Sequence, residues 1–126
     1  MFAHHLVIFV CIQLLLSSVS AISFTEIDNA GADCEDIYIK SSDKEQGEVD
    51  YFVCVFRKLK AFNSDNSLNV EVIKNVLTII GQYSPPGFSK SRFEAVFNAI
   101  GSCSSTASNT VEESVKTYFQ CVKKLT

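Results

Sequence analysis

The sequence predicts an all-α domain, a compact bundle of five to six helices stapled by two disulfides. Three observations predict it. Apolar residues recur at three- and four-residue spacing in five separate stretches, the period that gives a helix one apolar face. Ser or Thr followed three residues later by Glu, the signature of a helix start, occurs at Ser23/Glu26, Ser42/Glu45 and Thr110/Glu113. No alternating run of strand length competes, and there is no internal repeat.

Residues 1–21 read as a signal peptide. Leu6 to Leu16 is apolar except for Gln13, and small residues through Ala21 follow, with Val19 and Ala21 suiting cleavage before Ile22. The run is too short for a comfortable membrane span. The remaining chain, residues 22–126, is about 105 residues long, enough for one domain with one core.

The first helix starts at the Ser23 cap and carries Phe24, Ile27, Cys34, Ile37 and Tyr38. Asn29-Ala30-Gly31 interrupts it, so a bend or a split is expected there. Ser41-Ser42-Asp43 breaks the pattern, and Ser42 with Glu45 opens the second helix. Gly47 in its first turns is a small cost. This helix runs to Phe62 with Val49, Phe52, Val53, Phe56 and Leu59 on one face and Cys54 in its middle. Asn63 to Ser67 are small polar residues that end it through local hydrogen bonds. Asn69 caps the third helix, with Val70, Ile73, Val76, Leu77 and Ile80 on its face and Leu68 placed to staple to Ile73.

Gly81 to Gly87, with two prolines, reads as a loop. Phe88 and Ser89 form a staple and cap for a fourth helix over residues 90–100, with Phe93, Val96, Phe97 and Ile100 inward; Gly101 ends it. Cys103 stands just beyond, before the small polar loop 104–109. Thr110 caps the last helix, with Val111, Val115, Tyr118, Phe119 and Val122 inward beside Cys121. Lys123 and Lys124 suit its terminal carbonyls.

Composition excludes several functions. All 11 Lys and Arg and 14 Asp and Glu lie after residue 21, the net charge is −3, and no basic stripe points to nucleic acid. That charge gives no attraction to anionic lipid, which disfavours a membrane-active domain and stable membrane insertion. Both histidines lie in residues 1–21, so the mature chain has no imidazole for catalysis, metal ligation or pH switching. Adjacent carboxylates such as Glu35-Asp36 and Glu112-Glu113 do not face one another across a helix and read as helix charges or a solvated face. With no phosphate-cradling loop either, no enzyme activity, metal or cofactor is expected.

Cys11 leaves with the signal peptide, and Cys34, Cys54, Cys103 and Cys121 remain. An even number in a small secreted domain reads as two disulfides. Four cysteines allow three pairings, and these residues alone do not choose among them. The gaps of 19, 48 and 17 residues contain no close pair of the zinc-binding kind.

Eight Phe and four Tyr remain in the mature chain. For any one of them the ordinary reading is core. Together they are enough to wall an apolar pocket between the helices. Tyr51, Tyr83 and Tyr118 read as surface or rim residues whose hydroxyls are able to orient a ligand.

The stretch from Tyr51 to Leu77, a cysteine in an aromatic-rich helix, a polar turn and a Leu-Asn that starts the next helix, resembles the insect odorant-binding proteins, the pheromone- and general-odorant-binding superfamily. In that family's six-cysteine pattern the fourth and sixth cysteines lie about 17 residues apart, and Cys103 and Cys121 have 17 residues between them. The second and fifth cysteines would fall at Asp50 and near Glu112. Both are absent, and the family pairs them with each other, so the chain is similar to the four-cysteine "minus-C" members. The 19-residue gap is shorter than the family usually has, and the 48-residue gap longer.

The resemblance implies Cys34–Cys54 and Cys103–Cys121 bridges, each contributing roughly 3 kcal/mol by the loop-entropy account. It also implies a secreted carrier that shields a small apolar ligand such as an odorant, pheromone or lipid. The candidate wall residues are Phe52, Phe56, Leu59, Ile73, Leu77, Phe93, Phe97, Tyr118 and Phe119. The alternative is a secreted salivary, venom or reproductive-fluid protein of the same scaffold. It would act on a protein partner, or as a homodimer, through its surface.

Overall fold

A computed structural model describes residues 22–83 and 87–126. They form five α-helices: α1 (Phe24–Ile39), α2 (Lys44–Lys58), α3 (Val70–Tyr83), α4 (Lys90–Ser102) and α5 (Val111–Leu125). The expected signal peptide, its Cys11 and the two prolines lie outside the described residues. Helix α1 lies along α2, α2 along α5, α3 along α4 and α4 along α5, with a smaller contact between α1 and α3.

Most helix starts obey the sequence signals. The hydroxyls of Ser23, Ser89 and Thr110 accept from the backbone N–H groups of Glu26, Arg92 and Glu113, at 3.2, 3.4 and 3.2 Å. Asn69 caps α3, its carbonyl accepting from Val72 and Ile73. The second helix corrects the expectation. Asp43, not Ser42, is its cap, one carboxylate oxygen accepting from Glu45 and Gln46 at 3.1 and 3.2 Å. A charged acceptor that satisfies two free N–H groups outcompetes a hydroxyl that satisfies one.

Three other boundaries differ. Helix α1 runs unbroken through Gly31. Cys34 is fully buried and bonded to Cys54, while Gly31 provides clearance, since a Cβ there would lie 3.3 Å from the Tyr51 hydroxyl. Helix α3 continues through Gly81 to Tyr83, and α4 through Gly101 to Ser102, so neither glycine stops its helix. Gly81 makes room instead: a Cβ would lie 2.8 Å from the Phe93 ring, so the bare backbone lets that ring close on α3. Gly87, at φ 79°, is in the left-handed region expected of the loop.

The second helix ends at Lys58, short of Phe62. Its end is a Schellman turn: Ala61 N–H donates to the Phe56 carbonyl at 2.8 Å and Lys60 N–H to Arg57 at 3.2 Å. Lys60 occupies the left-handed position, φ 56°, that usually takes glycine. The polar turn that follows is closed by a bridge between Phe62 and Leu68. Asp65 accepts from the N–H and hydroxyl of Ser67, which holds its carboxyl below the usual range. The turn also docks on the loop before α5. Asn66 donates to the carbonyls of Ser108 and Asn109, and Leu68 N–H to Ser105 at 2.9 Å.

The core is built mainly from the expected faces. Val53 and Phe56 of α2 with Leu59 at its cap, Ile73 and Val76 of α3, Ile100 of α4, and Val115 and Tyr118 of α5 are buried. On α1 the buried positions are Ala30 and Cys34, while Ile37 and Tyr38 are 40% and 42% exposed. That part of the expected inward face is corrected, because the end of α1 beyond Cys34 turns away from the core. The bridges are Cys34–Cys54 (Cα–Cα 5.9 Å) and Cys103–Cys121 (6.1 Å), the pairing that the resemblance implied. They join α1 to α2 and the end of α4 to α5.

Candidate functional site

The nine residues proposed from the sequence as pocket walls divide into two groups. Phe56, Leu59, Ile73 and Tyr118 are buried in the core, and Phe52, Leu77 and Phe119 pack partly buried against it. The rings interlock. Phe119 stands edge-on to Phe52 at 4.7 Å and to Phe56 at 6.2 Å, and Phe52 lies 5.6 Å from Phe56. These contacts fill most of the space between α2 and α5, while Phe52 also borders a groove on the α1 side.

Phe93 and Phe97 are separate from that cluster. With Phe88 they form a ladder of rings along α4, with centroids 5.2 and 6.0 Å apart. The ladder lines a mainly apolar groove of about 560 Å³ between α3 and α4, whose α3 side includes Thr78, Gly81 and Gln82. Phe88 was read from the sequence only as a staple. Its second role depends on how α3 and α4 cross.

The three tyrosines also separate. Tyr118 is not a rim residue: it is 1% exposed, and its hydroxyl donates to the Ile100 carbonyl at 2.6 Å. Burial pushes its pKa up to about 12. Its hydroxyl is thus committed to the protein. Tyr83 is 60% exposed and stacks on Phe24 at 4.1 Å. Tyr51 is half-buried, and its hydroxyl has no hydrogen-bond partner among the described residues. Burial first, and then the charge of Glu35, raise its pKa.

Two further grooves meet at Tyr51 and Glu35. One, of about 350 Å³, is lined by Glu35, Tyr38, Glu48, Tyr51 and Phe52. The other, of about 410 Å³, runs from Tyr51 and Glu35 past Ile80 to Ile27, Asp28 and Phe24. Phe24, Asp28, Gly31, Glu35 and Tyr38 recur at spacings of four, three, four and three, so one face of α1 forms the floor. That periodicity was legible in the sequence. What lay across from it was not.

Among the described residues no cluster of His, Cys, Asp and Glu has the arrangement of a metal site, and no helix is long and apolar enough to cross a membrane. No curated protein and no solved structure gives a significant match to the chain. A family model does: the PBP/GOBP family, over residues 25–125. That match spans all five helices and both disulfides, and on it the chain belongs to the PBP/GOBP family.

Proposed function

We propose that residues 22–126 form a secreted carrier of the four-cysteine type that holds a small, uncharged apolar ligand in the groove between α3 and α4. The PBP/GOBP family consists of binding proteins rather than enzymes. The two disulfides suit an oxidising compartment. One observation carries the placement. The rings of Phe88, Phe93 and Phe97 follow one another outside the core, Phe93 stacked on Phe97 and tilted against Phe88, and line a groove of about 560 Å³, within the usual range for small-ligand sites. Binding there would be driven by apolar area removed from water, about 25 cal/mol per Å². Gln82 and Thr78 at the groove wall offer the orienting polar contacts.

The test is titration of the oxidised mature protein with N-phenyl-1-naphthylamine, a neutral dye that brightens on leaving water, followed by displacement with fatty alcohols and terpenoids. Saturable one-to-one binding is expected, with affinity reduced roughly fivefold or more in Phe97→Ala, the equivalent of losing about 1 kcal/mol of apolar contact. No saturable binding with both disulfides intact would overturn the carrier reading. Full affinity in Phe97→Ala would overturn the placement.

The reading as a surface-acting protein keeps one observation in its favour. Ile37, Tyr38 and Ile39, exposed by 40%, 42% and 55%, form an apolar end to α1 that no helix covers.

A further inference from the structure

The trough along α1 differs chemically from the groove between α3 and α4. Its two grooves share Glu35 and Tyr51, so those residues mark their junction. Glu35, Glu48 and Asp28 line it, and no Lys or Arg does. Aromatic rings flank the carboxylates: Tyr38 and Phe52 on one side, Phe24 on the other, with Tyr51 between.

The neighbouring cations are already engaged. Lys44 Nζ donates to the carbonyls of Tyr38 and Ile39 at 2.9 and 3.1 Å and lies 4.8 Å from the Tyr38 ring centroid. Lys123 is 3.7 Å from Glu48, Lys58 is 3.7 Å from Asp33, and Lys40 is 3.7 Å from Asp36. Glu35 has neither an ion-pair nor a hydrogen-bond partner among the described residues. The junction therefore presents an uncompensated carboxylate and an unused hydroxyl in a trough with apolar walls.

This combination discriminates among ligands. An anion meets Glu35 and Asp28, neither of them in an ion pair, while Lys123 and Lys44 at the far rim are engaged with Glu48 and with the carbonyls of Tyr38 and Ile39. A neutral apolar molecule leaves Glu35 and the Tyr51 hydroxyl desolvated without a partner, which costs free energy. An ammonium group donates to both and is attracted to the faces of the surrounding rings. We propose that the trough is a second ligand site, for a small organic amine. Its ammonium sits between Glu35 and the Tyr51 hydroxyl, and its apolar body lies against Phe24, Ile27 and Ile80. This site is independent of the α3–α4 groove.

The experiment compares two probes of the same shape, 2-phenylethylamine and 2-phenylethanol, by isothermal titration of the oxidised mature protein at low salt. The amine is expected to bind one-to-one and about tenfold more tightly than the alcohol, the ratio that a charge-assisted hydrogen bond supplies. Its affinity should fall as salt rises. Glu35→Gln is expected to remove about that tenfold preference, and Tyr51→Phe to reduce it. Asp36→Asn removes the same charge from the same helix outside the trough and is expected to leave amine binding unchanged. Circular dichroism of each variant establishes that the helices are intact. Equal affinity for amine and alcohol, or an equal effect of Glu35→Gln and Asp36→Asn, would overturn the site.

Discussion

Replacing Tyr118 with Phe removes one oxygen from the least exposed large side chain of the core. The hydroxyl donates to the carbonyl of Ile100 at 2.6 Å. That carbonyl belongs to the last turn of α4, where no further turn of helix supplies a donor. Tyr118 thus finishes α4 from α5, beside the Cys103–Cys121 bridge that joins the same two helices. With Phe the ring packing remains and the carbonyl loses its partner. A buried acceptor left unsatisfied costs about 1–3 kcal/mol. Because the ring packing is kept and only the hydroxyl is lost, the expected loss lies near the lower end, about 1–2 kcal/mol.

Urea unfolding of the oxidised protein at pH 7, followed by circular dichroism, measures this directly, as a lower midpoint at unchanged slope. The melting temperature should fall by roughly 4–15 °C. A second readout comes from pH. Tyr118 is raised to about 12 in the folded protein, from an ordinary value of 10.0. The folded state therefore holds its proton more tightly than the unfolded one. Its contribution to stability is complete below about pH 10 and is lost as pH rises towards 12. Tyr118→Phe should lack that component of the alkaline slope. A variant as stable as the parent at pH 7, with the same decline above pH 10, would refute the account.

Two substitutions test the glycine and lysine positions. Helix propensity alone has Gly47→Ala stabilising α2 by roughly 1 kcal/mol. In the structure a Cβ at Gly47 would lie 2.6 Å from the Cβ of Ser41, so a loss of about 1–3 kcal/mol is expected instead, partly restored in the double variant with Ser41→Gly; chemical denaturation of the two variants beside the parent decides the sign. Lys60→Gly relieves a left-handed residue at the Schellman turn and is expected to stabilise by about 0.5–1 kcal/mol in the same assay. An unchanged or lower midpoint would show that Lys60 is unstrained there.

The five helices, and the inward faces of all but α1, were legible in the sequence to within a few residues. Caps and three-to-four periodicity act over one or two turns, so Ser23, Ser89, Thr110 and the apolar stripes of α2, α3 and α5 needed no partner to be recognised. Where a boundary was missed, the deciding partner was distant or the local choice was close. Gly31 and Gly47 were read as weak points because propensity penalises glycine, and Gly81 as the start of a loop. Their real role is close approach, to the Tyr51 hydroxyl, Ser41 and the Phe93 ring, and that depends on how elements cross. The polar turn 63–67 looked local, yet Asn66 and Leu68 tie it to the loop before α5, some 40 residues on.

The site follows the same division. Periodicity selects the residues that turn inward, so the nine aromatic and aliphatic candidates were all legible in the sequence as apolar and inward-facing. Periodicity does not say whether inward-facing rings fill space or enclose it. Only the tertiary packing decided that Phe52, Phe56 and Phe119 meet one another while Phe93 and Phe97 line a groove, and that Tyr118 is spent on a helix end. Glu35 passed as one charge on a solvated face for the same reason. Its place beside Tyr51 is set by the crossing of α1 and α2, a relation between elements that the pattern within one helix does not encode.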